Sequence, residues 1–396
     1  MGRSSFRGRQ DVVEKLLSIA AAGKLGQPFL LVGPEGSGKE NTALEFARLI
    51  NCAEPDSCGP GDLCESCVKT LSFQHPDIRW IGPAPASIGE NDIRDIFQHK
   101  IANPFYQHPG AATSFVSIGD PEHPGQMTLR SLIHFLRKRA FQGKYKVAIV
   151  SDSQRMNQSA ANAFLKTLEE PPENTVIFML TTGTMGMLPT ILSRCQKMRF
   201  DPWPEAELTV LLQDIGHVSG DEAEQAARTA DGNARRGVSL LEPTARVMIA
   251  WAVQLFDWIH RRDRAMVAIA ADELHRGLVS HACLTGDQTQ KSMAAKESAH
   301  RRDRAIQLCE LLNLLYRDAI NCREAGEQHR PRLPVASQLV AGACAGRHTD
   351  TLLEDMATIE ASRREIDRNL NIGLAMAVLF EGLIDHAEAD QAAVGS

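Results

Sequence analysis

Between the apolar pentapeptide Pro28-Phe29-Leu30-Leu31-Val32 and a helical stretch from Asn41 to Ile50, the chain carries Gly33-Pro34-Glu35-Gly36-Ser37-Gly38-Lys39-Glu40. Glycine, four free positions, glycine and lysine make a phosphate-binding loop, which requires a strand before it and a helix N-terminus after it. Gly33, Gly36 and Gly38 let successive backbone N–H groups converge on an anion, and Lys39 adds the charge that meets the outer phosphates. The pattern should close on a Ser or Thr hydroxyl for Mg²⁺, and here Glu40 stands in that place. A longer, charged carboxylate is no simple substitute for a hydroxyl and would lie close to the phosphates. The loop therefore predicts the fold of a nucleotide-binding motor and leaves ATP/Mg²⁺ binding open.

At 396 residues the chain is too long for one ordinary core, so two or three domains are expected. Its 43% hydrophobic and 23% charged residues are those of a soluble globular protein. A net charge of -6 argues against wrapping nucleic acid by bulk electrostatics, and 5% aromatics disfavour a surface that stacks single-stranded bases. No apolar run approaches the roughly 20 residues that cross a membrane, and Met1 to Arg7 lacks the apolar core of a signal peptide. A cytoplasmic, reducing location and no membrane partner are expected. The nine cysteines read as thiols or metal ligands before disulfides.

Residues 1 to about 200 alternate short apolar runs with helical patterns, the mark of a parallel sheet with crossover helices. Leu30–Val32, Ile78–Ile81, Val147–Val150 and Val176–Leu180 are the candidate strands. Residues 82–126, rich in Pro, Gly and His, read as an insertion, partly loop, with a short helix near Glu90 to His99. From Pro204 the chain turns helical, over Glu205–Leu212 and Asp221–Ala230. Long amphipathic stretches follow from about Ala245, with Val247, Trp251, Leu255, Trp258 and Ile259 on one face. The fold class is α/β plus all-α. The hexapeptide His-Arg-Arg-Asp-Arg-Ala occurs at His260–Ala265 and at His300–Ala305, read as two solvated helix faces rather than a repeat. A last helix is expected around Leu370 to His386, before a disordered small-residue tail.

Cys52, Cys58, Cys64 and Cys67 fall close together in a loop-rich stretch, the last two as C-x2-C, with Gly59 and Gly61 to allow tight turns. Four thiolates suit a tetrahedral Zn²⁺ and leave no open position for water, so the ion is expected to be structural. Cys195, Cys283, Cys309, Cys322 and Cys344 are scattered and read as packed thiols. Val147–Val150 runs into Ser151-Asp152-Ser153, where a hydrolysing motor places acidic residues. Asp152 is alone and one position out of place, so it is either a metal ligand or the cap of the next helix. In Ser193-Arg194-Cys195, Arg194 is either a surface charge or an arginine presented to a neighbour's γ-phosphate.

Taken together, these motifs resemble the clamp-loader branch of the AAA+ ATPases, and within it the delta-prime type of bacterial DNA polymerase III. The resemblance rests on the loop, the four cysteines, His75-Pro76-Asp77, Ala161 to Pro172 with its LKTLEEPP run, Thr181-Thr182 and Ser193-Arg194-Cys195. Asp231 to Arg236 is similar to the family's lid sensor, and the helical remainder matches only by pattern. The gamma/tau type, the hydrolysing motor, is the alternative; it should carry Thr in place of Glu40 and Asp-Glu in place of Ser151-Asp152. The resemblance implies a P-loop domain at 1–203, with a zinc module at about 52–77 and the insertion at about 82–126. It further implies a helical lid at 204–244, a collar for oligomerisation at 245–390 and a disordered tail at 391–396. Arg194 becomes an arginine finger acting in trans, while Thr182 and Arg235 take sensor places at a nucleotide site with Gly33, Gly36, Gly38, Lys39 and Asp152. The implied partners are gamma/tau and delta subunits in a pentameric ring, and through them the sliding clamp and primer-template DNA. The implied function is loading that clamp during replication as a non-hydrolysing stator. Leu311, Leu312, Leu314 and Leu315 suit either a contact between subunits or a core of their own domain.

Overall fold

The computed structural model describes residues 8–59, 61–85, 88–108, 111, 114–120, 125, 127–271, 290–325, 330–367 and 371–394. Residue contacts divide the chain into two compact units, 1–238 and 239–396.

The first unit is built on five parallel strands: β1 (Phe29–Val32), β2 (Ile78–Ile81), β3 (Lys146–Val150), β4 (Thr175–Thr181) and β5 (Gln196–Arg199). Their spatial order is β2-β3-β4-β1-β5, so β1 lies between β4 and β5, with Leu30 opposite Met179 and Lys197. All four expected strands form. The fifth, Gln196-Lys197-Met198-Arg199, was missed because it is an edge strand in which Met198 alone is buried. The central strands are buried on both faces, and period-two alternation sorts their side chains. Phe29 and Leu31 pack with Val12, Leu16 and Phe46, whereas Leu30 packs with Leu132, Phe164 and Leu168 on the opposite face.

Helices α1 (Gln10–Ala21), α2 (Lys39–Ile50), α3 (Glu65–Leu71), α4 (Glu90–Ala102), α5 (Leu129–Leu136), α6 (Gln158–Glu169) and α7 (Pro189–Leu192) connect or flank the strands. Local signals fix several ends. Thr128 and Asn157 accept N-cap hydrogen bonds from Ser131 N and Ala160 N. Pro171-Pro172 follows α6 and prevents its continuation. In the insertion, α4 extends three residues past the expected helix end. Helices α8 (Glu205–Gly216), α9 (Gly220–Ala230) and α10 (Ala234–Leu240) follow the sheet.

Unit two is helical, over Pro243–Arg261, Gln290–Ala325, Ser337–Gly346, Thr349–Asp367 and Ile372–Val394. Leu311, Leu312, Leu314 and Leu315 all enter its own core with Leu255, Phe256, Ile259 and Phe380. Of the expected amphipathic face, Leu255 and Ile259 are buried, Trp251 and Trp258 pack partly against the core, and Val247 is exposed. An ionic cluster is buried in the unit: Arg347 Nη1 meets Asp355 Oδ2 at 2.6 Å and Arg347 Nε meets Asp390 Oδ2 at 3.3 Å, while His386 Nδ1 lies 2.8 Å from Asp355 Oδ1.

Two expectations are corrected. The tail at 391–396 is helical through Val394, because Ala392 and Ala393 are strong helix formers that prolong the preceding turns; 395–396 lie outside the described residues. The two copies of the hexapeptide are not two helix faces. The first crosses a helix end, where Arg262 is left-handed with φ 58°, and the second sits inside Gln290–Ala325. Cys283 and Leu370 lie outside the described residues.

Candidate functional site

The phosphate loop joins β1 to α2 at the carboxyl ends of the strands, where ligands of open parallel sheets bind. Gly33 is required by a close approach: a Cβ there would stand 2.3 Å from the carbonyl oxygen of Phe200. Gly36 is left-handed at φ 68°, and its Cβ would meet Asn233 Oδ1 at 1.9 Å. Its carbonyl accepts Trp203 Nε1 at 3.0 Å and Ala234 N at 3.1 Å, pinning the loop.

Lys39 folds back over this turn, donating to Gly33 O at 2.7 Å, Pro34 O at 2.6 Å and Ser37 Oγ at 3.2 Å. Burial lowers its pKa to about 8, against the opposing pull of Asp152, Glu35 and Glu40. Lys39, Gly36, Gly38, Asp152, Thr182 and Arg235 line one cleft, so six of the seven residues expected at a nucleotide site are brought together. The seventh, Gly33, contributes the carbonyl that holds Lys39. Asp152 sits at φ 48°, and its side chain makes no capping bond to the short 3-10 turn after it. Its carboxylate instead accepts Gln107 Nε2 at 3.3 Å and Gln154 Nε2 at 3.3 Å. Burial, and then the nearby Glu35 carboxylate, raise its pKa. Arg235 Nη1 donates to Gln107 Oε1 and lies 3.5 Å from Glu35 Oε2. Phe105, Tyr106, Gln107 and His108 of the insertion line the same cleft.

The two departures from the motor pattern meet in space. Ser151 Oγ donates to Glu40 Oε2 at 2.6 Å, and Lys100 Nζ meets Glu40 Oε1 at 2.5 Å. These groups do not fit a Mg²⁺ ion, which needs near-octahedral oxygen ligands and keeps several waters. Both Glu40 oxygens are already committed, and a lysine ammonium stands against one of them. Lys100 and Gln107 carried no sequence signal, since neither belongs to a motif and both reach the loop from the insertion.

Arg194 follows α7 and is not part of this cleft. Its Nη1 donates to Thr190 O at 2.7 Å, and its Nη2 pairs with Glu169 Oε1 at the end of α6. Glu169 was legible only as part of the LKTLEEPP run.

The zinc-candidate cysteines converge: the four Sγ atoms lie within 4.8 Å of one another, with Cys58 to Cys67 at 3.5 Å and Cys52 to Cys64 at 3.7 Å. A tetrahedron with Zn–S near 2.3 Å has edges of about 3.8 Å, so this set fits a structural Zn²⁺. Cys64 N donates to Cys58 Sγ at 3.3 Å, and Arg48 at the end of α2 donates to Cys67 Sγ at 3.4 Å. Burial pushes the Cys64 thiol upward, but backbone N–H groups of Cys67 and Ala53 and the neighbouring thiols bring it down to about 6. Gly59 and Gly61 do not use left-handed backbone; the turn is instead closed by Gly59 and Asp62, which exchange backbone hydrogen bonds at 3.1 and 3.0 Å.

The His75-Pro76-Asp77 tripeptide braces this module. His75 Nδ1 accepts from Asp77 N at 3.1 Å, so its other nitrogen carries the proton that meets Ser66 Oγ at 3.1 Å. The buried Asp77 carboxylate accepts backbone N–H from Phe141, Gln142 and Gly143 at 2.6–2.7 Å and pairs with Lys146 at 2.9 Å. Against burial, these donors hold its pKa down at about 2.

A family model described as DNA polymerase III, delta subunit, matches residues 8–112 and 119–204. The Bacillus subtilis DNA polymerase III subunit delta' is 23% identical over 380 residues, 95% of this chain and 93% of that protein. Its Pseudomonas aeruginosa counterpart is 30% identical over 167 residues, 42% of this chain and 40% of that protein. The Mycobacterium tuberculosis gamma/tau subunit is 29% identical over 244 residues, 59% of this chain, which spans only 36% of that longer protein. Among the described residues no helix is long and apolar enough to cross a membrane. On the family match and the alignment that runs nearly end to end, this chain is a relative of the delta' subunits of DNA polymerase III.

Proposed function

We propose that this chain works within the DNA polymerase III clamp loader as a subunit that does not hydrolyse ATP. In this reading it joins gamma/tau and delta subunits in a hetero-pentameric ring and helps place the sliding clamp on primed DNA in the cytoplasm. The observation that carries the reading is the Glu40–Ser151 contact at 2.6 Å. A hydrolysing site needs a hydroxyl and a carboxylate at these places to hold Mg²⁺ across the outer phosphates. Here the two groups stand in exchanged positions and satisfy each other. Lys39 and the loop amides remain able to hold an anion, so nucleotide binding alone does not oppose the reading. Arg194 would act as the finger for a neighbouring gamma/tau site. Residues 204–244 would form the lid, and 245–390 the collar of the ring.

The gamma/tau reading is favoured by the 29% identity over 244 residues with the Mycobacterium tuberculosis protein and the 27% identity over 241 residues with the Bacillus subtilis tau subunit. Steady-state ATP turnover by the purified chain separates the two. No turnover is expected; turnover that is lost in Lys39→Ala would return the chain to the motor class.

A further inference from the structure

Glu40 Oε2 takes the Ser151 hydroxyl, and the geometry at its other oxygen explains what neutralises it. Lys100 Nζ lies 2.5 Å from Glu40 Oε1, donates to Tyr106 O at 3.1 Å, and stands 4.5 Å from the centroid of the Trp80 ring. These three partners, a carboxylate, a carbonyl and an aromatic face, are those that best satisfy a buried ammonium. Lys100 is only 5% exposed, and Lys and Glu are almost never buried unless paired. Trp80 Nε1 donates in turn to Ser151 Oγ at 2.9 Å, so Trp80, Ser151, Glu40 and Lys100 form a closed set.

We propose that the Lys100 ammonium is the resident cation of the phosphate loop, held in the place where a hydrolysing motor binds a divalent ion, and that it excludes such ions from the site. A motor holds its metal between the last loop residue and the end of the neighbouring strand. In this chain those positions are Glu40 and Ser151, and the positive charge bound to Glu40 is covalently part of α4. A divalent ion entering here must displace the ammonium, and the two cations repel strongly in a partly buried site. Through Lys100, α4 also fastens the insertion to the loop. The exclusion concerns the isolated chain and requires no neighbouring subunit, so its failure would leave the proposed place in the clamp loader untouched.

The test uses Mn²⁺ as a paramagnetic probe on the full chain, with its cysteine site loaded with zinc. The wild-type protein should bind no Mn²⁺ at the loop, and millimolar Mn²⁺ should leave the Trp80 indole N–H resonance unbroadened. Lys100→Met keeps the apolar stem and removes the charge. It should gain about one Mn²⁺ per chain, broaden the Trp80 resonance, and lose both effects in Lys100→Met/Glu40→Gln. A folded Lys100→Met that gains no Mn²⁺ would overturn the inference. So would wild-type protein whose Trp80 signal is bleached by Mn²⁺ in a manner that Glu40→Gln abolishes. Should Lys100→Met not fold, Lys100→Gln, which removes the charge and keeps a donor for Tyr106 O, is read by the same two criteria.

Discussion

Replacing Arg194 by Ala separates two free energies of very different size. Within its own chain, Arg194 pairs with Glu169, and the two side chains are 32% and 47% exposed. Pairs this exposed contribute about 0.2–1 kcal/mol, because water screens the charges and both side chains lose freedom. The bond to Thr190 O lies at the surface and can be taken over by water. A loss of at most about 1 kcal/mol lowers the Tm of a unit of this size by roughly 2–4 °C. A finger that stabilises the transition state of phosphoryl transfer contributes roughly 10³-fold or more, which is about 4 kcal/mol. The expected phenotype of Arg194→Ala is therefore a folded chain that still assembles, beside a neighbouring site whose hydrolysis is nearly abolished. Glu169→Gln supplies the control: it frees the guanidinium without removing it, so hydrolysis next door should persist. The assay is ATP turnover of complexes reconstituted with gamma/tau and delta subunits on primed DNA, with thermal unfolding of the isolated variant alongside. Wild-type turnover in the Arg194→Ala complex would refute the reasoning. A loss of stability well above 1 kcal/mol would also count against it, showing that the arginine serves its own domain.

Other measurements test the remaining structure. Metal analysis should find about one zinc per chain, and Cys64→Ser/Cys67→Ser should release it and loosen the segment around α3; protein purified without chelator that holds no zinc would refute this site. Asp77, with its pKa lowered from 3.8 to about 2, contributes roughly 2–3 kcal/mol near neutrality. Its folded pKa is the lower one, so this stability is complete above about pH 5, roughly 1 kcal/mol is lost by pH 3, and most of it by pH 2. Urea unfolding of wild type and Asp77→Asn should therefore converge as the pH falls, and a constant gap would contradict the assignment. Gly36→Ala forces a side chain into left-handed backbone and against Asn233, at a cost above about 1 kcal/mol; an unchanged Tm would show that the loop relaxes freely.

Much of the first unit was legible because its signals are local. A phosphate loop, four clustered cysteines and runs such as Val176–Leu180 declare themselves within a few residues. β5 did not, since its strand character comes from pairing with β1 at an edge, where its polar side chains face outward. Glu40 could be recognised as a departure, but not its resolution: Lys100 lies 60 positions away and Ser151 lies 111 away. The ionic cluster of Arg347, Asp355 and Asp390 was equally silent, because charged residues on amphipathic helices ordinarily signal a solvated face. Local chemistry could be read directly, whereas chemistry assembled across the chain could not.

The exchanged pair at Glu40 and Ser151 also constrains the history open to this chain. Changing Glu40 to Thr first would strand the Lys100 charge in a nearly closed position. Changing Ser151 to Asp first would set two carboxylates against each other over one ammonium. Either of these two changes made alone thus passes through a less stable protein, although the two together need not be worse. Substitutions that are individually disfavoured and jointly tolerated make a ratchet. A lineage that has crossed it would be expected to stay where it is, drifting in the rest of the loop while these two positions and Lys100 change only in concert.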